Sequence, residues 1–275
     1  MKLNWYPGHM AKARKLIREH LKLVHVVFEL LDARIPLSSR NPDIDAIVWK
    51  TPRVVVLNKV DLADPTQTRF WTTALAKGNH PVIQIDSSTG RGHSRIAQAV
   101  KTIAKPGRTG VIRGMVVGIP NVGKSTFINR LAAQRSARTG ALPGVTRGKQ
   151  WIRVSPGIEL LDTPGVLWPR LDNREAALKL AATGAIKEEV VDSEGVALWL
   201  LDWLKQNYPG VLKRRYQLPA LPASAGTLLE SIGLKRGLVV TGGQVDRFKA
   251  AVSFLKEFRD GRLGRFTLDD RPEKE

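Results

Sequence analysis

An apolar segment of the chain runs into Gly118-Ile-Pro-Asn-Val-Gly123-Lys124-Ser125, and a helix-forming segment, Thr126–Ala133, follows. This stretch matches the pattern G-x-x-x-x-G-K-[ST], and its position between a strand and a helix is the context that the pattern requires. In such a loop, backbone N–H groups and the helix N-terminus face phosphate oxygens. The lysine meets the β and γ phosphates, and the serine holds Mg²⁺. The stretch therefore predicts a nucleotide-binding α/β fold.

Short apolar runs rich in β-branched residues recur before and after this loop, separated by helix-length segments. The runs are His25–Leu31, Val54–Leu57, Val82–Ile85, Met115–Gly118 and Ile158–Leu161. Apolar strands that alternate with helices are typical of a mostly parallel sheet that is buried on both faces. We therefore predict such a sheet, with helices on both sides.

The strand pattern ends after Pro164-Gly165. Residues 174–206 and 242–259 have helical periodicity instead, and several prolines interrupt the chain between them. Residues 11–24 also have helical periodicity, with a basic face. These patterns predict two domains. Residues 1–175 form the sheet domain, which begins with a basic helix, and residues 176–275 form a small helical domain.

The composition excludes several classes of protein. The 275 residues include no cysteine, so disulfides, thiolate metal sites and cysteine nucleophiles are absent. No uncharged apolar stretch has the length of a signal peptide or a membrane span. We expect a cytoplasmic protein that has no membrane partner.

The charge is strongly positive and unevenly placed. The formal net charge is +19, and residues 1–175 carry 28 Lys and Arg against 12 Asp and Glu. No acidic residue occurs between Asp86 and Glu159, whereas thirteen Lys and Arg do. A solvated surface needs no run of this length without acids, whereas binding to a polyanion benefits from one. The distribution favours a nucleic acid partner.

Two polar sequences follow predicted strands upstream of the phosphate loop. Asn58-Lys59-Val60-Asp61 follows Val54–Leu57, and Asp86-Ser87-Ser88 follows Val82–Ile85. An aspartate that accepts hydrogen bonds from N1 and N2 of guanine rejects adenine, and the stem of Lys59 can lie over the ring. Backbone N–H groups of the second sequence can face the guanine oxygen. Together they predict selectivity for guanine.

A third polar sequence, Asp162-Thr-Pro-Gly165, ends the strand Ile158–Leu161 some 40 residues after the phosphate loop. A carboxylate at that strand tip can reach the water shell of a bound Mg²⁺. Gly165 leaves room for the γ-phosphate. The sequence therefore predicts the metal side of a GTP site.

The order of these motifs resembles that of the circularly permuted GTPases, because the base-side motifs precede the phosphate loop. The opening Asn4-Trp-Tyr-Pro-Gly-His-Met10, followed by a basic helix, is similar to the ribosome biogenesis GTPase A family. The resemblance implies a factor that acts late in assembly of the large ribosomal subunit, and we expect the chain to be a monomer. It also implies that both the protein and its helical C-terminal domain bind ribosomal RNA, and that the subunit and potassium stimulate GTP hydrolysis.

The resemblance also assigns roles to individual residues. Those expected to bind the guanine base are Asn58, Lys59, Val60, Asp61, Asp86 and Ser87. Those expected to bind the phosphates are Asn121, Val122, Gly123, Lys124, Ser125, Thr126 and Gly165. Mg²⁺ would be held by Ser125 and Thr146, and through water by Asp162. Asn121 resembles the asparagine with which potassium-stimulated GTPases hold K⁺.

The group that orients the attacking water is not the usual one. Val166 and Leu167 follow Gly165, at positions where a glutamine orients water in the commonest mechanism. The resemblance nominates His9 instead, and an imidazole can hydrogen-bond a nucleophilic water. His9 and Lys124 are therefore the expected catalytic residues.

Two other functions remain open on the sequence. The chain could be an RNA-binding scaffold that binds GTP with negligible turnover, which the apolar Val166 favours. It could also be a GTPase that acts on tRNA or another RNA. Turnover with ribosomal subunits and the RNA that copurifies distinguish these alternatives.

Overall fold

The computed structural model describes residues 7–107, 109–139, 151–161, 165–166, 173–186 and 191–272, and it leaves the side chains of 7–10, 134–139 and 165–166 undescribed. The chain divides into two compact units. One consists of Asn4–Arg170 together with Thr267–Glu275, and the other contains Leu171–Phe266.

The first unit is built on a sheet of seven strands, whose order is β3-β2-β1-β4-β6-β5, with β7 paired to β4. The strands are β1 Val26–Asp32, β2 Arg53–Asn58, β3 Val82–Gln84, β4 Ile112–Gly118, β5 Trp151–Ser155, β6 Ile158–Leu161 and β7 Gly165–Val166. All pairings are parallel except that of β5 with β6. Every residue of β1 and β2 is buried, as expected of central strands covered on both faces.

Helices cover both faces of this sheet. They are α1 Pro7–Leu21, α2 Ile44–Val48, α3 Pro65–Ala76, α4 Ser94–Ile103 and α5 Lys124–Thr139. Val27 of β1 packs with α1 and α2. Leu31, four residues further along the same face of the strand, packs with Trp71 of α3. Phe28 points to the opposite face, where its ring centroid lies 5.9 Å from that of Phe127 in α5. The prediction of a mostly parallel sheet between helices is confirmed.

The second unit is helical in its described residues. Its helices are α6 Arg174–Ala182, α7 Ser193–Asn207, α8 Pro209–Tyr216, α9 Ala225–Lys235 and α10 Arg247–Arg259. Four begin at a side-chain cap, because Asn173, Asp192, Ser224 and Asp246 each accept a hydrogen bond from a backbone N–H of the first turn. None of the helices in the described ranges is long and apolar enough to cross a membrane.

The chain returns to the first unit after Phe266. The N–H of Leu268 donates to the carbonyl oxygen of Arg34 at 2.7 Å. The carboxylate of Asp269 accepts hydrogen bonds from the N–H groups of Leu37 and Ser38, at 2.8 and 2.9 Å. The predicted boundary at residue 175 places this segment in the helical domain, whereas its backbone and side chains bond to the sheet domain.

Candidate nucleotide-binding site

The predicted nucleotide motifs lie at one edge of the sheet. Strands β1, β2 and β4 end at Asp32, Asn58 and Gly118. Asp32 is paired with Asn58, and β4 lies parallel to β1 on its other side. Because the carboxyl ends of parallel strands meet at one edge, the loops that follow them converge there.

The phosphate loop is shaped by close backbone approaches that leave no room for side chains. A Cβ at Gly118 would lie 2.8 Å from the carbonyl oxygen of Leu30, and one at Gly123 would lie 2.4 Å from Nδ2 of Asn58. Gly123 has a φ of 101° and Asn121 a φ of 56°, both in the left-handed region. Glycine at position 123 is thus required both by its backbone angle and by its neighbour.

Lys124 begins α5, and its ammonium group folds back onto this loop. Nζ donates to the carbonyl oxygens of Gly118 and Ile119 at 3.0 and 2.7 Å. Burial lowers the pKa of Lys124 to about 8. Phosphate oxygens are charged acceptors, so replacing the two carbonyls by phosphate would favour the ammonium form.

Asn58 joins three loops through one buried side chain. Its Nδ2 donates to the carbonyl oxygen of Val122 at 2.8 Å, and its Oδ1 accepts from the N–H of Ser87 at 3.1 Å. The residue is 1% exposed. Asn58 therefore connects the phosphate loop to both base-side loops from within.

Lys59 and Asp61 are the outward members of the same sequence. Nζ of Lys59 donates to the carbonyl oxygen of Asn121 at 2.8 Å. The backbone N–H of Val60 donates to the carbonyl oxygen of Ile85 at 3.3 Å, which fixes the turn. Asp61 follows with an exposed side chain. This geometry leaves the Lys59 stem beside the phosphate loop and the Asp61 carboxylate facing solvent.

The loop after β3 is held by its own carboxylate. Asp86 accepts hydrogen bonds from the N–H of Ser88 at 2.8 Å and from the hydroxyl of Thr89 at 2.6 Å. Burial opposes ionisation, but the hydrogen bonds from Ser88 and Thr89 lower the pKa of Asp86 below its ordinary value. Arg130 of α5 donates to the carbonyl oxygens of Ser87 and Ser88. Asp86 thus shapes the loop, and α5 secures it beside the phosphate loop.

The remaining predicted residues are less completely described. Thr146 and Asp162 lie outside the described residues. Gly165 lies in β7 opposite Val117, the residue before the phosphate loop, and Val166 pairs with Gly118. His9 lies in α1, which packs against β7, but its side chain is among those that are not described.

Sequence reasoning missed two charged residues at this edge, Asp32 and Arg34. Both are at most 3% exposed and form an ion pair at 2.7 Å between Nη2 and Oδ2. Lys59 also pairs with Asp32, at 3.1 Å. The available signal was an Asp-Ala-Arg sequence at the end of the mostly apolar strand β1, at the edge where the site lies.

Fold and site together define a P-loop GTPase in which the base-side motifs precede the phosphate loop. A family model described as 50S ribosome-binding GTPase matches residues 113–217. The chain is 45% identical to ribosome biogenesis GTPase A of Priestia megaterium, over 100% of this chain and 99% of that one. It is 46% identical to the protein of that name from Bacillus cereus, over 98% and 94% of the two chains. The crystal structure of GNP-bound YlqF from T. maritima aligns with a TM-score of 0.71 at 27% identity, over 96% of this chain and 100% of that one. The chain belongs to the ribosome biogenesis GTPase A family.

Mg²⁺ is the metal that a GTPase of this class implies, and the described residues fit it. The first turn of α5 exposes the hydroxyls of Ser125 and Thr126. The described residues contain no group of three or more His, Asp or Glu side chains that could hold a metal. Mg²⁺ bound with phosphates needs only one or two protein oxygens, since phosphate and water supply the rest. The hydroxyl of Ser125 could supply one such oxygen.

Proposed function

We propose that the chain is a GTPase that assembles the large ribosomal subunit, binding ribosomal RNA in its GTP form and leaving after hydrolysis. The observation that carries this proposal is the buried amide of Asn58, which binds Val122 and Ser87 at once. It brings motifs that are far apart in the sequence to one site that can read guanine and hold phosphates. Family membership supports the ribosomal role.

In the proposed site, Asp61 accepts hydrogen bonds from guanine, and the stem of Lys59 covers the ring. The loop of Asp86 and Ser87 borders the base. Lys124 leaves the carbonyls of Gly118 and Ile119 and binds the β and γ phosphates, with the N–H groups of residues 121–126 around them.

Mg²⁺, when bound, neutralises charge that develops on the phosphates. Ser125 and Thr146 would hold it, with Asp162 acting through water. The proposal also includes a K⁺ ion bound beside Asn121. The left-handed backbone of Asn121 exposes its side chain at the phosphate loop, where a monovalent ion would add positive charge.

Water attack is assigned to His9. The support is that α1, which carries His9 in its first turns, packs against β7. β7 continues from Asp162-Thr-Pro-Gly165 and pairs with the start of the phosphate loop. An imidazole on this helix can therefore approach the γ-phosphate side of the site, where Val166 offers no hydrogen bond.

Ribosomal RNA is assigned to the basic faces of the sheet domain. Four basic side chains in and beside α4 are exposed: Arg91, Arg95, Lys101 and Lys105. The sequence between Asp86 and Glu159, which includes α4, contains no acidic residue. Along and just after α1, Lys12, Lys15, Arg18 and Lys22 are exposed as well. Such faces bind phosphate backbones by releasing counterions. The helical domain is the second proposed contact with the subunit.

The test is GTP turnover in potassium buffer with large subunits, small subunits or neither, for the wild type and His9→Ala. We expect strong stimulation by large subunits alone, and its loss in the variant. Replacing K⁺ by Na⁺ separates the contribution of the monovalent ion. Flat turnover in every mixture would instead support a GTP-binding RNA scaffold. Stimulation of turnover by tRNA alone would support a GTPase that acts on tRNA.

A further inference from the structure

A buried ion pair lies at the end of β1. The side chain of Arg34 grips Asp32 with two parallel hydrogen bonds, from Nε to Oδ1 at 3.0 Å and from Nη2 to Oδ2 at 2.7 Å. The backbone N–H of Arg34 also donates to Oδ1, at 3.0 Å. A paired guanidinium fork of this kind fixes the orientation of a carboxylate as well as its charge.

The same carboxylate holds Lys59. Oδ2 of Asp32 lies 3.1 Å from Nζ of Lys59, while that Nζ donates to the carbonyl oxygen of Asn121 at 2.8 Å. Asp32 thus anchors an ammonium group that bridges the base-side sequence and the phosphate loop. Removing the negative charge would leave the buried Arg34 and the partly exposed Lys59 as two cations without the carboxylate between them.

The loop that carries Arg34 is covered by a segment from the far end of the chain, Thr267–Asp269, which we call the strap. The hydroxyl of Thr267 donates to the carbonyl oxygen of Ala33 at 3.3 Å, and the N–H of Leu268 donates to that of Arg34 at 2.7 Å. The carboxylate of Asp269 also accepts from the hydroxyl of Ser38 at 2.6 Å. The strap therefore bonds to backbone groups between Asp32 and Arg34 and in the residues that follow Arg34.

We propose that Asp32 is a positioning residue for Lys59, and that the strap fixes the Asp32–Arg34 pair in the orientation that holds the lysine against the phosphate loop. Guanine nucleotide affinity then depends on a segment that touches neither the base nor the phosphates. The inference rests on the proposed role of Lys59 in nucleotide binding.

The experiment is a double-mutant cycle on the affinity for a fluorescent GDP analogue, with Asp32→Asn, Lys59→Met and both together. We expect each single variant to bind GDP at least tenfold more weakly. The double variant should bind no more weakly than Lys59→Met alone, because Asp32 has then nothing left to position. If the two losses multiply, Asp32 acts only on general stability and the inference is overturned.

The strap is tested by Asp269→Asn, with Asp270→Asn as the matched control, since Asp270 is the exposed neighbour. We expect Asp269→Asn to weaken GDP binding severalfold, with no further loss when it is added to Lys59→Met, and Asp270→Asn to bind as the wild type does. If Asp32→Asn does not fold, the comparison of Asp269→Asn with Asp270→Asn tests the inference by itself. Equal affinities of Asp269→Asn and Asp270→Asn would overturn the inference.

One outcome separates the inference from the proposed function. If Lys59→Met binds GDP as tightly as the wild type, Lys59 has no role in nucleotide binding, and both that role and this inference are wrong. If Lys59→Met binds GDP more weakly and the losses of the two single variants multiply in the double variant, only the positioning role of Asp32 is wrong.

Discussion

Among single residues, Lys124 has a lowered pKa, and we expect nucleotide binding to raise it. Its pKa in the free protein is about 8 because of burial. Phosphates favour the ammonium form, so above this pH binding takes up a proton and the affinity falls, by up to about tenfold per pH unit. Titration of a fluorescent GDP analogue between pH 7 and 9 measures this slope.

Lys124→Arg is the control, because its guanidinium stays charged throughout the range. Its affinity, whatever its absolute value, should not change with pH. The unfolded chain holds the Lys124 proton more tightly than the folded one. Without nucleotide, this group therefore raises the free energy of unfolding as the pH rises from about 8 towards 10.5. A wild-type affinity that is flat from pH 7 to 9 would contradict the assignment.

Asp61 gives a prediction on the choice of base. Asp61→Asn loses the second acceptor that pairs with N1 and N2 of guanine, but its amide can donate to the 2-oxygen of xanthine. We expect GDP affinity to fall about a hundredfold, with binding of XDP gained. Competition by GDP, XDP and ADP measures this. Glu159→Gln, on β6 away from the site edge, is the charge-matched control, and a variant that loses both GDP and XDP would point to a folding defect instead.

The motifs of the candidate site could be predicted from the sequence, but the contacts between their residues could not. Lys124 and Asp61 follow from motif and strand position, because each lies just after an apolar run. The inward turn of Asn58 could not be predicted, since it depends on Val122 and Ser87 arriving from other strands. Asp32 and Arg34 were missed because their partners, Lys59 and the strap, are distant in the sequence.

Among elements, the phosphate loop depends on the absence of a Cβ at Gly123. Gly123→Ala would place that atom 2.4 Å from Nδ2 of Asn58 at a φ of 101°. We expect loss of detectable nucleotide binding and a free energy of unfolding lower by about 1–3 kcal/mol. Fluorescence titration and denaturant unfolding measure the two.

Gly110→Ala provides the matched control. Gly110 also has a positive φ, of 72°, but a Cβ there would meet nothing within 4 Å. It should cost about 1 kcal/mol of stability through the backbone alone and leave GDP affinity as in the wild type. Equal nucleotide binding by the two variants would show that contact with Asn58 does not matter.

Helix α4 gives the prediction for RNA. Reversing two of its charges, with Arg95→Glu and Lys101→Glu, should weaken binding to large-subunit RNA. It should also reduce the slope of log affinity against log salt by about one for each lost phosphate contact. The control reverses two exposed charges at α3 and its C-terminus, with Arg69→Glu and Lys77→Glu. Equal losses in both pairs would mean that only the net charge counts.

The sequence predicted the buried central strands of the sheet, but it did not predict the edge strand β5 or where the helices of the second unit end. β1 and β2 are mostly apolar, with Glu29 inside β1 and polar residues at the strand ends, so their position follows from composition. β5 was missed because Arg153 interrupts a half-exposed edge strand whose pairing depends on the turn at Pro156-Gly157. The predicted helix over residues 174–206 is divided after Ala182, where Gly184 has a φ of 79°.

For the whole molecule, the permuted order means that the chain leaves the γ-phosphate side of the site through Gly165 and continues into the helical unit. A change at the phosphates would therefore be passed along the chain to the helical unit, the second proposed RNA contact. We expect large-subunit precursors to bind at least tenfold more tightly with a nonhydrolysable GTP analogue than with GDP. Sedimentation with each nucleotide measures this ratio, with small subunits as the control. If the precursors bind equally tightly in the GTP and GDP states, a switch is excluded, because a partner with equal affinity for two states does not change their populations.

The strap also imposes an order on synthesis. Ser38 and Asp269 are separated by 231 residues, and the entire helical unit lies between them. Domains fold as the chain emerges, N-terminal parts first. The backbone groups of Leu37 and Ser38 thus have no partner in Asp269 until translation has passed through the helical unit. A chain that ends within that unit would contain every strand of its sheet domain but would lack the strap that covers the loop of Arg34.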